Sequence, residues 1–329
     1  MNYKSAAGSL KMLRSSGHPK ANGMSDSQDY PIGTPGQKWG EKEKAEWLLQ
    51  QEVRRSYADE VVAKLERLKD HFTVEPYGAL SHAPERYPLF IVRNGRWNDN
   101  KPGILITGGV HGYETSGVQG AIRFLERHAG SYSDQFNILV APCISPWAYE
   151  TINRWNAAAI DPNRSFYESS PCEESAALMA YLQAHQCQFI AHFDLHETTE
   201  TDNSEFRPAL AARDAVKHEN WHIPDGFYCV GDSQKPASDF QTAIIKSVEQ
   251  VTHIAAPASN GKIIGEKLEQ WGVINYEARE LGLCMGLTDA GFVTTTEVYP
   301  DSPQVDDEEC IRAQVAAVTG GLAYIAAVD

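Results

Sequence analysis

Apolar positions recur at two periods along this chain, and the switching between those periods outlines the fold. Trp47, Leu48, Val53, Tyr57, Val61, Leu65 and Leu68 return at intervals of three and four, so the spacing predicts helix over residues 41–71. Pro76-Tyr77-Gly78 closes that lead-in. Leu89-Phe90-Ile91-Val92 reads as a strand and Asn94-Gly95 as a hairpin-type turn. Ile104-Leu105-Ile106-Thr107 reads as a buried strand, two glycines break it, and helical spacing follows from about Ser116 through Val118, Ile122, Phe124 and Leu125. Residues 136–141 form another buried strand, followed by a loop that carries Arg154 and Arg164. Residues 173–185 have helical spacing, 188–196 and 227–230 read as strands, 240–253 as helix, 255–262 as loop and 291–299 as a strand rich in β-branched residues. Ser302-Pro303 predicts the start of a last helix, with Asp306, Asp307, Glu308 and Glu309 near the positive end of its dipole. Ile311, Val315, Val318 and Leu322 then form one apolar stripe.

Strands alternating with helices predict a three-layer α/β domain, with helices on both faces of a sheet. No linker interrupts the chain after residue 80, so residues 41–329 are expected to form one domain with a helical lead-in over 41–75. Residues 1–40 are rich in Gly, Ser, Pro and Lys, lack periodicity and read as an irregular arm. The first 23 residues carry Lys4, Lys11, Arg14 and Lys20 and no acid. A disordered extension is the reading taken, beside a transit peptide or a natural start at Met24.

Composition narrows the function classes. The 329 residues are 42% hydrophobic, enough for a packed core. No apolar run reaches membrane-spanning length, and Gly321 to Val328 reads as the end of a packed helix. The formal net charge of −15 argues against a nucleic-acid partner, because phosphate binding needs a basic surface. Six cysteines without a Cys-x-x-Cys pair, and no secretory apolar region at the N-terminus, suggest reduced thiols in a cytoplasmic protein.

The candidate chemistry begins where the buried strand at residue 104 ends. Gly108-Gly109-Val110-His111-Gly112-Tyr113-Glu114 places an imidazole and a carboxylate across one turn between strand and helix, where ligands collect in α/β folds. That pair suits borderline-soft metals such as zinc. Three further stretches follow: Arg154-Trp155-Asn156 with Asp161-Pro162-Asn163-Arg164-Ser165-Phe166, then Phe193-Asp194-Leu195-His196-Glu197-Thr198, then Thr294-Thr295-Thr296-Glu297-Val298.

In this order the four stretches resemble the zinc carboxypeptidases of the M14 metallopeptidase family, from about Leu89 to the C-terminus. The resemblance implies a mixed, mostly parallel twisted sheet. It implies one zinc ion per chain, held by His111, Glu114 and His196 with a position left open for water. His192 shares the strand and facing of His196 but does not fall at the strand end. Asp161 would orient the first histidine. Asn163 and Arg164 would bind a free carboxylate, and Arg154 would face the scissile carbonyl. Glu297 would serve as general base and acid. Tyr276, 21 residues before Glu297, matches a tyrosine that family members often carry.

The implied function is removal of a C-terminal residue by attack of metal-activated water, on a peptide or small amide substrate with a free carboxylate. The alternative is a deacylase of N-acyl amino acids resembling aspartoacylase and succinylglutamate desuccinylase. Those enzymes usually append a β-rich domain, whereas here the stretch after Glu297 reads as one helix. Two departures, Ser145-Pro146-Trp147-Ala148 and Ser165, lie near the substrate-binding loops and leave the metal chemistry untouched.

Overall fold

The computed structural model describes residues 30–95, 97–98, 100–218 and 220–328. Most of the predicted arm, with its basic run and Met24, lies outside the described residues. Residues 30–40 contain no helix or strand, yet Ile32 and Trp39 are buried, and Trp39 donates its backbone N–H to Arg213 O.

The elements in chain order are α1 (Glu41–Leu49), a π turn (Ala58–Val62) running into α2 (Ala63–Leu68), β1 (Thr73–Ala79), β2 (Pro88–Arg93), β3 (Gly103–Gly108), α3 (Thr115–Arg127), α4 (Ala129–Tyr132), β4 (Asn137–Ala141) and α5 (Pro146–Thr151). Then come α6 (Glu173–Ala184), β5 (Ala191–Glu197), α7 (Arg207–Asp214), β6 (Tyr228–Asp232), α8 (Ser238–Val248), the short pair β7 (Lys262–Ile263) and β8 (Glu266–Lys267), β9 (Val273–Tyr276), β10 (Phe292–Val298) and α9 (Asp307–Val328). Eight strands form one mixed sheet in the order β1-β2-β4-β3-β5-β10-β6-β9. Its middle, β4-β3-β5-β10, is parallel throughout. Strict alternation buries both faces: Ile104 and Ile106 join a core with Val118, Phe124, Phe240 and Leu322 of α3, α8 and α9, whereas Leu105 joins Leu178 and Leu182 of α6.

Four expectations need correction. The lead-in is two helices, because residues 51–56 are drawn out of helical conformation. Arg55 causes this: Nε, Nη1 and Nη2 donate to Tyr149 O, Thr115 Oγ1 and Gly112 O, each at 2.6 Å, and the guanidinium lies 3.5 Å above the Tyr149 ring. Pro76 and Gly78 do not end a region; they sit inside β1, an edge strand with a bulge, where proline is tolerated. Asn94-Gly95 turns with Gly95 at φ +71°, but no hairpin follows, since β2 pairs with β4 while the Asn94 side chain bridges Phe136 O and Ile138 N. The last helix starts at Asp307 and not at Ser302-Pro303, because Asp306 Oδ1 accepts the Glu309 N–H at 2.8 Å and caps it there.

Helices α5 and α7 and strand β9 lie in stretches read as loop or left unassigned. By length and composition α9 could cross a membrane, where no run of that length was expected; it packs on α3 and α8 with Ala313, Val318, Leu322 and Ile325 buried, so residues 321–328 end a packed helix as read.

The parallel strands point their C-terminal ends to one side. Glu297 on β10 is the register partner of His196 on β5, and β3 leaves the sheet one strand away through Gly108 and Gly109. The turn after β3 is pressed against α5. A Cβ on Gly112 would lie 2.0 Å from the Ala148 carbonyl carbon, closer than any real contact, and Gly109 holds φ +59°. Gly112→Ala should therefore destabilise the fold by roughly 3 kcal/mol or more. Gly291→Ala, where a Cβ meets nothing within 4 Å, should stay within about 0.5 kcal/mol of wild type. Denaturant midpoints measure both, and equal midpoints would refute the forced packing.

Candidate metal centre

His111, Glu114 and His196 converge with 2%, 1% and 1% of their surface exposed, too little for any of them to be a solvated surface group. His111 Nδ1 lies 2.8 Å from Glu114 Oε1 and His196 Nδ1 lies 2.7 Å from Glu114 Oε2. Each remaining ring nitrogen meets another carboxylate: His111 Nε2 is 3.0 Å from Asp161 Oδ1, and His196 Nε2 is 2.9 Å from Asp194 Oδ2. Both imidazoles therefore turn Nδ1 toward one point and give Nε2–H away, the arrangement ligand histidines adopt.

The donor set fits a cation. Glu114 Oε2 is buried and accepts no hydrogen bond despite its approach to His196. Burial alone would raise the Glu114 carboxyl, but His196 and His111 outweigh it and hold it down at about 2. Burial likewise opposes protonation of His196, yet Asp194 and Glu114 pull it well above the ordinary imidazole range. The centre thus demands positive charge at one spot, and His/Glu/His is a zinc-type donor set for it.

Around this point the four sequence stretches form the wall of one cleft of about 740 Å³. Asn156 shapes the second stretch: its Oδ1 accepts the N–H of Ala158 and of Ile160, and its Nδ2 donates to the buried Glu174. That turn presents Asp161, which accepts from the Asn163 N–H as well as from His111. Arg154 donates from Nε to Asp161 Oδ2 at 3.2 Å and from Nη1 to Tyr113 Oη and Asp202, and it stacks 4.3 Å from the Phe206 ring centre. Asn163 Oδ1 accepts the Cys284 N–H at 2.8 Å. Arg164 donates to the Asn163 carbonyl and is otherwise exposed in the cleft. Ser165, the departure from the motif, closes the turn by donating to Asp161 O.

Glu297 Oε2 accepts from Thr198 Oγ1 at 2.8 Å, and Thr198 in turn meets Tyr228 Oη at 2.7 Å. Desolvation pushes the Glu297 carboxyl up to about 8, with His196 opposing and Glu114 adding to the rise. A nearby divalent cation would draw it back toward the neutral range. Tyr276 ends β9 and lines the same cleft. The structure therefore brings together all nine residues singled out in the sequence. It places His192 elsewhere, with Nε2 2.9 Å from Thr107 Oγ1.

Arg55, Tyr113, Asp194, Asp202 and Tyr228 were not singled out. Asp194 had a signal: it shares its facing with His192 and His196 in an otherwise apolar strand. Arg55 had none, since its partners are carbonyls far along the chain.

No protein-family model and no curated protein matches the sequence. Solved structures do. A protein described as a candidate metallopeptidase from Shewanella amazonensis SB2B is 19% identical, covers 84% of this chain and 98% of its own, and superposes with a TM-score of 0.61. A metallo-carboxypeptidase from Burkholderia cenocepacia is 16% identical over 82% of this chain and 69% of its own, with a TM-score of 0.57. A metallo-carboxypeptidase from Pseudomonas aeruginosa in complex with (2-guanidinoethylmercapto)succinic acid is 16% identical over 80% and 68%, with a TM-score of 0.54. The chain has the α/β fold of the zinc carboxypeptidases.

The Arg154–Asp161 pair yields a pH prediction. Burial raises the Asp161 carboxyl, but Arg154 and then His111 outweigh it and hold it well below the usual range. A depressed folded pKa contributes stability above the unfolded value of about 4, and that stability is lost as pH falls through the folded value. Arg154→Met should cost roughly 3 kcal/mol near neutral pH by leaving buried carboxylate without its partner. The deficit relative to wild type should shrink as pH falls, because the unpaired Asp161 carboxylate is relieved by taking a proton. Denaturant midpoints from about pH 3 to 7 test both, and a variant with the wild-type profile would discount the pair.

Proposed function

We propose that this chain is a zinc-dependent, carboxypeptidase-like hydrolase that removes a C-terminal residue from a peptide or small amide with a free carboxylate. One observation carries the reading: the His111, Glu114 and His196 donor atoms converge beside Glu297 in the cleft that also holds Arg154, Asn163 and Arg164. The solved neighbours named as carboxypeptidases support it through the fold they share.

A divalent ion held by His111, Glu114 and His196 would polarise the scissile carbonyl and activate water. Arg164 holds the substrate carboxylate through paired N–H donors, and Asn163 adds its amide, whose oxygen is already committed to the Cys284 N–H. This grip selects a chain end over an internal bond. Glu297 takes the proton of the attacking water and passes it to the leaving nitrogen; its partly dry setting lets it hold that proton in between. Thr198, itself held by Tyr228, keeps one Glu297 oxygen in place. Arg154, fixed by Asp161, Asp202 and Tyr113, is a stationary cation for charge that develops on the carbonyl oxygen. Tyr276 closes one side of the substrate's position.

Elemental analysis of gently purified protein should find one divalent ion per chain, and chelation should abolish activity. Glu297→Gln should lower kcat by about 10²–10⁴ while metal content and substrate binding, read by calorimetry, survive. Metal loss in that variant would make Glu297 a ligand, and an unchanged rate would remove it from the mechanism. Arg164→Ala should raise KM steeply for peptides with a free C-terminus and leave amidated ones little affected; equal effects would make it structural. Hydrolysis of N-acyl amino acids in preference to peptides would favour the deacylase reading.

A further inference from the structure

Behind His196 lies a second group of buried donor atoms. His192 and Asp194 share the facing of His196 on β5, and Cys284 comes from the short turn Cys284–Gly286. Their donor atoms lie within 4.8 Å of one another, and all three residues are buried. Such a trio could hold a second ion, but the space between the three is already filled. Thr107 Oγ1, from β3, lies 2.7 Å from Asp194 Oδ1, 2.9 Å from His192 Nε2 and 3.5 Å from Cys284 Sγ. A hydroxyl has one proton to give and two lone pairs to offer. Thr107 gives its proton to Asp194, which only accepts, and its other sides face His192 Nε2 and the Cys284 thiol. The hydroxyl thus engages all three side chains that an ion would need.

The other Asp194 oxygen faces His196 Nε2 at 2.9 Å. A carboxylate cannot donate, so the proton shared with Asp194 resides on Nε2, and Nδ1, 2.7 Å from Glu114 Oε2, is the nitrogen left to face an ion. With an ion on the Nδ1 side, a ring lacking the Nε2 proton would leave a bare nitrogen against the buried Asp194 carboxylate, with no solvent to relieve it. Asp161 divides its charge between His111 and Arg154, whereas Asp194 ion-pairs with His196 alone among the described residues. His196 is therefore its closest charged partner, with His192 second.

We propose that Asp194, held in place by Thr107, is a positioning residue that fixes the tautomer and ring orientation of His196 and so sets the affinity of the centre for a single divalent ion. The mechanism is electronic as well as geometric. An imidazole that donates Nε2–H to a carboxylate is more basic at Nδ1, and a ring pinned from behind spends no orientational freedom when an ion arrives. This inference rests on the reading of His111, Glu114 and His196 as metal ligands.

The test is zinc affinity, measured by competition with a chelating dye on wild type, Asp194→Asn, Thr107→Val and Thr107→Ser, with apo melting temperatures recorded in parallel. Asp194→Asn should bind zinc about 10–100-fold more weakly. Thr107→Val, which keeps shape and removes the hydroxyl, should lose about tenfold, and Thr107→Ser should restore most of it. If Asp194→Asn does not fold, the threonine pair decides alone. A folded Asp194→Asn, or in its place Thr107→Val, with wild-type zinc affinity overturns the inference. Two zinc ions per wild-type chain, falling to one in Cys284→Ala, would overturn it as well by making the trio an ion site. Wild-type protein that takes up no ion at all would remove the metal reading itself, a failure distinct from unaltered affinity in the variants.

Discussion

Negative charge packed where water cannot reach it is the constraint on which the rest of this structure depends. Glu114, Asp161 and Asp194 are buried together at the ends of β3 and β5, with Glu297 beside them on β10. An isolated buried carboxylate is prohibitively expensive, so each must be matched. Asp161 is matched by Arg154, Asp194 by His196 and the Thr107 hydroxyl, and Glu297 by the Thr198 hydroxyl and a raised affinity for its proton. Glu114 keeps one oxygen without a hydrogen bond. The arrangement is costly to assemble and leaves one vector of attraction unspent.

Backbone placement explains how the cost is met. Arg55 reaches under the turn after β3 and fixes carbonyls on both of the segments that meet there. From α9, Gln314 donates to His196 O and accepts from Thr296 Oγ1, so one buried amide links β5 to β10. Gln314 interrupts the apolar stripe of α9 because those two strands need a polar partner at that point.

Much of this was legible in the sequence. Central strands announce themselves because burial on both faces leaves continuous apolar runs, as at Ile104-Leu105-Ile106. The residues of the cleft stand out because imidazole, carboxylate and guanidinium groups next to strand ends have few other reasons to be there. What escaped notice depends on long-range geometry. The break at residues 51–56 exists for the sake of Gly112 and Tyr149, and nothing near Arg55 in sequence signals it. Strand β1 was hidden by Pro76 and Gly78, which only an edge position excuses, and β9 is four residues long.

The place of β10 in the sheet has a consequence for how the chain reaches this state. The last strand in sequence lies between β5 and β6, so both of those strands keep open edges until it arrives. Loop closure on that scale is entropically slow, and two waiting edges invite pairing with other chains. Refolding from denaturant should accordingly be slow and sensitive to protein concentration, with β5, already bearing His196, as the edge most exposed to mispairing until β10 inserts.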